Sequence, residues 1–279
     1  MLLCSGCIYP APPSQVGGDN SGKVQAVLLH PSDIVVANGG SVPKGPEELP
    51  TSTYTGEWQG NLRHGHGLQI WPDGARYDGQ WEKDKAQGHG RFEHYNGDVY
   101  EGEWKVDKAD GRGTYIHADG AKYEGEWQDD RQHGVGVEVW PDGARYEGEY
   151  QFGRKNGKGR FDWLDGSHYE GEFSDNCIHG EGVYVWANAR KYEGQWQKNR
   201  MHGQGAFQWS DGRNYMGEYK HDQKDGIGTF RWPDGRQYHG QWKDGKQHGT
   251  GTYVTVDGDR REGEWSEGKR VKWIKYESD

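Results

Sequence analysis

The sequence predicts an all-β protein, an elongated single antiparallel sheet built from tandem β-hairpins. A tyrosine returns every 23 residues, at Tyr54, Tyr77, Tyr100, Tyr123, Tyr146, Tyr169, Tyr192, Tyr215 and Tyr238, without insertion or deletion. Glycines and aromatic rings recur at fixed positions after each of these tyrosines, and Asp-Gly or Asn-Gly pairs close most units. Self-similarity at this period is the signature of an array rather than of a closed globule.

Composition agrees. Only 31% of the 279 residues are hydrophobic, too few for a large closed core, yet 14 Trp and 17 Tyr are far more rings than a disordered chain carries. A thin, ring-rich core in one extended domain fits both facts.

The first 22 residues read as a tail. Residues 23–53 read as a capping segment with two short strands, VQAVLL (24–29) and DIVVAN (33–38). Nine full repeats occupy 54–260, and a partial tenth with a C-terminal cap fills 261–279, opening on Arg261 where the others have tyrosine.

Let the tyrosine be position 0 of its repeat. Position 2 is glycine in all ten repeats, and position 4 is always a ring, from Trp58 and Trp81 to Tyr150, Phe173 and Trp265. Apolar even positions and polar odd ones give the period of a strand with one buried face. Positions 11 and 13 are glycine in every full repeat, position 15 is usually Phe or Tyr, and position 17 is often Trp. These form a second strand with the same alternation. Pro-Asp-Gly at 72–74, 141–143 and 233–235, and similar pairs elsewhere, favour tight turns. At about 4.8 Å per strand, nine hairpins make a sheet on the order of 90 Å long. Glycine normally weakens a strand. On the ring face it leaves a gap that a neighbouring ring can fill.

The text YEGEW…HGxGxxxWPDGxx closely resembles the MORN repeat over about four-fifths of the chain. Ten repeats agree in phase, which makes the resemblance specific. It implies a twisted, groove-shaped sheet that scaffolds partners or holds structures near membranes. Departures are few: Tyr150, Phe173 and Tyr219 at the ring position, Asn188-Ala189 where Asp-Gly is usual, and Arg261. Some proteins of this kind carry an enzyme domain beside the repeats. Residues 1–53 and the stretch after Trp265 are too short to form one, so no enzyme is expected.

Chemistry on the array is weighed against its plainer reading. Runs such as HGHG resemble phosphate loops but recur with the repeat and lack the following helix. Acid pairs at positions 1 and 3, such as Glu101–Glu103 and Glu147–Glu149, could suggest glycoside hydrolysis, but catalysis needs two unlike carboxyl environments and the pairs look equivalent. They read as a solvated acidic face. His64, His133, His179, His202 and His248 share position 10, and neighbouring repeats could bring His179 and His202 close, with Cys177 nearby. Turn packing explains them better than a zinc site, and the Asp-Gly turns lack calcium-loop spacing. No metal, no cofactor and no small-molecule substrate are expected. A net charge of −10 argues against nucleic acid and against the array lying on anionic lipid.

Leu3-Cys4-Ser5-Gly6-Cys7, followed by a Pro-rich linker, resembles the end of a bacterial lipoprotein signal with Cys7 as the acylated residue. Cys4 departs from the usual pattern, and the basic and long apolar regions would have to lie upstream. That resemblance implies lipid tethering in the cell envelope. The three cysteines give no disulfide framework.

The expected function is a non-enzymatic scaffold whose ring-lined groove binds a protein or another copy of the chain. A polysaccharide-binding or lipid-binding module of the cell envelope is the alternative. Because a single sheet has no second layer, some rings are expected to face solvent, and Trp127, Tyr150, Trp163, Trp186 and Trp196 are the expected partner-binding residues.

Overall fold

A computed structural model describes residues 51–277. Among the described residues there are twenty strands and no helix. Cys7 and the strands expected at 24–29 and 33–38 lie outside them. The chain divides into two compact units that meet in sequence at Arg154–Lys155.

The first unit holds β1 (Thr53–Gln59), β2 (Leu62–Ile70), β3 (Arg76–Glu82), β4 (Lys85–Glu93), β5 (Val99–Lys105), β6 (Lys108–Ile116), β7 (Lys122–Gln128), β8 (Arg131–Val139) and β9 (Arg145–Gln151). The second begins with β10 (Arg154–Asp162). It continues through β11 (His168–Ser174), β12 (Cys177–Val185), β13 (Lys191–Gln197), β14 (Arg200–Gln208), β15 (Asn214–Lys220), β16 (Gln223–Arg231), β17 (Gln237–Lys243), β18 (Lys246–Val254), β19 (Arg260–Ser266) and β20 (Lys269–Glu277). Inside each unit every strand pairs antiparallel with the next, from β1–β2 to β8–β9 and from β10–β11 to β19–β20.

Two turns alternate, and the residues of each dictate its type. Within a repeat, two residues at positive φ, such as Lys83 (51°) and Asp84 (67°), form the tight turn whose twist matches the strands. Its Asp or Asn then staples the preceding hairpin. Asp107 Oδ1 accepts from the Ala86 N–H at 2.8 Å while its own N–H donates to the Ala86 carbonyl at 3.0 Å. Asn176 and Asn199 do the same toward Lys155 and Ile178. Between repeats the Asp-Gly turn closes through the Gly74 N–H to the Trp71 carbonyl, with Asp73 Oδ1 accepting from the Ala75 N–H. Ala189 takes the glycine slot at φ 61° and the turn still closes on Trp186.

The register aligns the glycines. Gly67 faces Gly79, Gly79 faces Gly90, and Gly90 faces Gly102, so a bare backbone stripe crosses the strands of the first unit. Past the glycine at position 2 the pairing slips by a bulge, and Trp81 comes to face Ala86 at position 9. Simple alternation does not predict that slip.

Candidate functional site

On one face the glycine stripe is roofed by rings. Each opening tyrosine lies over the glycine pair of its own hairpin and donates its hydroxyl to the carbonyl of position 3: Tyr77 to Gln80 at 3.0 Å, Tyr100 to Glu103 at 2.9 Å and Tyr192 to Gln195 at 2.9 Å. The position-4 ring stands edge-on between two such tyrosines. Trp104 lies 5.2 Å from Tyr77 and 5.1 Å from Tyr100, and its indole donates to the Gly90 carbonyl at 3.0 Å. Burial pushes these phenols well above their ordinary range, Tyr238 to about 12.

This layer buries itself, and that corrects the expectation of an exposed ring-lined groove. Trp127 (3% exposed), Tyr150 (4%), Trp196 (2%) and Trp186 (8%) are core. Trp127 and Trp196 donate to the Gly113 and Gly182 carbonyls, and the Tyr150 hydroxyl to Glu138 at 2.9 Å. Trp186 is held between Tyr184 and Phe207 with the Arg190 guanidinium 5.2 Å from its ring. Trp163 is half-buried, 4.5 Å from Phe161 and 5.1 Å from Tyr184. The indole N–H groups of Trp163 and Trp186 find no acceptor. Because glycine lets each ring lie flat on backbone, one layer of rings suffices as its own cover.

Position 9, beneath the rings, escaped sequence reasoning because it varies so widely: Ala86 and Ala109 (0% exposed), Ile178 (0%), but also Lys155 (6%). Its most unusual occupant is Lys224. The ammonium lies 4.3 Å from the Trp242 ring centre, 5.0 Å from Phe230, 5.5 Å from Tyr215 and 5.6 Å from Trp209. Burial, with Arg213 nearby, pulls its pKa down to about 8.

The opposite face is the open one. The acid pairs expected there are not equivalent. The position-3 side chain folds back over a glycine at positive φ and accepts a backbone N–H: Glu103 from Arg112 at 3.2 Å, Gln80 from His89 at 2.8 Å and Glu218 from Ile227 at 2.9 Å. It is a structural clamp, which is why glutamine serves as well. The position-1 acid stays on the surface in ion pairs, either with the residue two before it, as in Lys122–Glu124 and Lys191–Glu193, both 2.8 Å, or across to the neighbouring strand, as in Arg91–Glu101 at 3.1 Å.

Between these charges the face shows aliphatic groups: Val135 (57% exposed), Ile116 (41%) and Val139 (38%) in the first unit, Met216 (68%) and Ile227 (46%) in the second. The first unit also has an open hollow of about 700 Å³, floored by Gly79, Gly90 and Gly102 and edged by His89, Arg91 and Glu101. Arg91 bridges Glu93 and Glu101 at 2.8 and 3.1 Å, and Arg76 with Arg91 holds the Glu93 carboxyl down at about 2. Histidines at position 10 sit under the turns; Nδ1 of His64, His133, His202 and His248 is buried without a partner. Among the described residues no three His, Cys, Asp or Glu side chains converge as ligands, and no helix is long and apolar enough to cross a membrane.

The family model of the MORN repeat matches ten segments: 54–76, 77–99, 100–122, 123–145, 146–168, 169–188, 192–212, 215–235, 238–260 and 262–271. No curated protein matches the chain. Among solved structures the chain is similar to the TCP10 domain of Danio rerio CPAP in complex with a peptide of Danio rerio STIL, at 15% identity over 80% of this chain and 99% of that one, TM-score 0.47. It is also similar to the SAS-4 (dCPAP) TCP domain of Drosophila melanogaster in complex with a proline-rich motif of Ana2, at 12% identity over 65% and 98%, TM-score 0.37. A third is virginiamycin B lyase of Staphylococcus aureus, at 11% identity over 78% and 76%, TM-score 0.16.

Proposed function

The chain belongs to the MORN-repeat family, and we propose that it is a non-enzymatic scaffold that holds a protein segment, or a second copy of itself, on the open face of its hairpins. The observation that carries this reading is the exposure of Val135, Val139, Met216 and Ile227 between ordered ion pairs. Apolar groups set among fixed charges offer both affinity and register to a partner chain. The sequence-based contact rings enter the proposal differently. Trp127, Tyr150, Trp186 and Trp196 are buried and enter it as support for the sheet, and the half-buried Trp163 is the ring that the proposal keeps as a contact residue.

Sugar stacking is the weaker reading. Arg190, Arg213 and Arg236 already lie 5.2 to 5.5 Å from the rings of Trp186, Trp209 and Trp232, and a sugar would have to displace them. The test is capture from a lysate by the full chain and by two variants, Val135→Asp/Val139→Asp and Met216→Asp/Ile227→Asp. A protein retained by the unaltered chain and lost from a folded face variant supports the scaffold. Equal capture by all three sinks the open face as the binding surface.

A further inference from the structure

Trp58 breaks the pattern of its column. It is 57% exposed, whereas the other position-4 rings, from Trp81 to Trp265, are 2 to 7% exposed. The cause is local. Each inner ring is covered by the preceding hairpin, and the position-13 glycine of that hairpin accepts the indole N–H of Trp81, Trp104, Trp127, Trp196 and Trp242, as Gly67 does from Trp81 at 2.9 Å. The strand carrying that glycine also pairs with the ring's own strand, Gly65 facing Trp81 and Gly67 facing Gly79. β1 has no preceding strand among the described residues, so Trp58 and the outer edge of β1 form half of a junction whose other half can be read from the repeats.

The two ends differ. β20 lacks the glycine pair, Arg261 replaces the tyrosine, and Trp273 closes over Trp265 at 6.0 Å with Arg270 4.2 Å from its ring. Lys269, Arg270 and Lys272 blunt its edge, a usual defence against further pairing. β1, Thr-Tyr-Thr-Gly-Glu-Trp-Gln, has neither lysine nor proline. An undefended edge, unpaired among the described residues and beside an exposed indole, is a place built for a strand, and β20 of a second copy does not supply the small residues it needs.

We infer that residues 36–42 of this chain fill the junction, pairing antiparallel along β1 with Ala37 facing Trp58 and Gly39 facing Gly56. Ala37-Asn38-Gly39 reproduces the small-x-small spacing of Gly65-His66-Gly67, and the Gly39 carbonyl takes the indole N–H of Trp58. Residues 43–52 connect the two strands. At about 3.3 Å per residue, about ten residues reach beyond the length of a seven-residue strand. A tether of this length also gives the segment a local concentration on the order of millimolar, ahead of any separate molecule.

Hydroxyl-radical footprinting of the full chain, read residue by residue by mass spectrometry, tests the pairing. Trp58 is expected to be oxidised nearly as slowly as Trp81 in dilute, monomeric protein. Ala37→Glu/Gly39→Glu should speed Trp58 severalfold and strip hydrogen-exchange protection from β1, with Trp242 unchanged. Lys44→Glu, in the connection, should change neither. Rapid oxidation of Trp58 in the unaltered chain overturns the inference. So does protection that appears only as protein concentration rises, which would assign the junction to a second copy.

Discussion

The ring of Tyr100 lies flat on Gly113 of the neighbouring strand, so close that a Cβ there would stand 2.6 Å from ring carbons, and its hydroxyl reaches past to the Glu103 carbonyl at 2.9 Å. The same relation recurs down the array, from Tyr54 over Gly67 to Tyr238 over Gly251. Glycine and tyrosine are therefore one structural element divided between two strands.

Substitution should expose that unity. Gly113→Ala is expected to destabilise by about 1–3 kcal/mol through overpacking, and Tyr100→Ala by about 3–5 kcal/mol. The double variant should fall well short of their sum, because the ring that the new methyl group strikes is gone. Denaturant titration gives the three values, and strict additivity would show that the two residues act separately. Hydrogen exchange should place the damage in β5–β7 and spare β16–β19, as expected where stability is a sum of neighbour terms.

The staple at Asp107 separates charge from geometry. Its carboxylate is 7% exposed, accepts the Ala86 N–H and meets Lys85 Nζ at 2.6 Å. Asn176 and Asn199 fill the same slot elsewhere. Asp107→Asn should thus lose little, whereas Asp107→Ala leaves a backbone N–H without its acceptor and removes the short polar side chain that suits Asp and Asn to φ 66°, about 1–3 kcal/mol in all. If the asparagine variant proves as damaging as alanine, the Lys85 pair and not the backbone clamp dominates.

Lys224 makes stability depend on pH. Its folded pKa of about 8 lies below its ordinary 10.5, so the folded chain disfavours the proton. The penalty is full below pH 8 and fades as pH rises toward 10.5, where the unfolded chain also gives the proton up. Its size is at most about 3 kcal/mol for such a shift, and the surrounding ring faces offset part of it. Lys224→Met should be more stable than the unaltered chain at pH 7, with the gap narrowing between pH 8 and 10. Comparing the pair cancels the tyrosines, and a gap that stays flat across that range would show that the amine is not desolvated.

Much of this architecture was legible because one repeat was written ten times. Phase, strand positions, both turns and the glycine–ring partnership follow from columns that hardly vary. What was hidden lies where geometry, not composition, assigns the role. The bulge after Gly79 leaves no mark in the alternation, so the clamp made by Gln80 and Glu103 read as half of an acidic pair. Position 9 holds Ala86, Ile178 and Lys224 alike, and only its place opposite a ring shows it to be core. Ring exposure was misjudged because one sheet suggested one uncovered face, whereas Trp104 wedged between Tyr77 and Tyr100 needs no second layer.

That misjudgement leads to a test that separates support from contact. Trp186 fills space between Tyr184 and Phe207, so Trp186→Ala should open a cavity and lower stability by about 3–5 kcal/mol. Trp163→Ala, at a half-buried ring, should cost less. Val135→Asp/Val139→Asp changes exposed positions and should stay within about 1 kcal/mol per site of the unaltered chain. Partner capture is expected to follow the opposite order: lost with the valine pair, reduced with Trp163→Ala, and kept by Trp186→Ala at temperatures where that variant remains folded by circular dichroism. The contrast works because a supporting ring affects binding only through the folded fraction, whereas a contact residue affects it at full folding. Capture that survives in the folded valine variant but fails in folded Trp186→Ala would return the binding surface to the ring face.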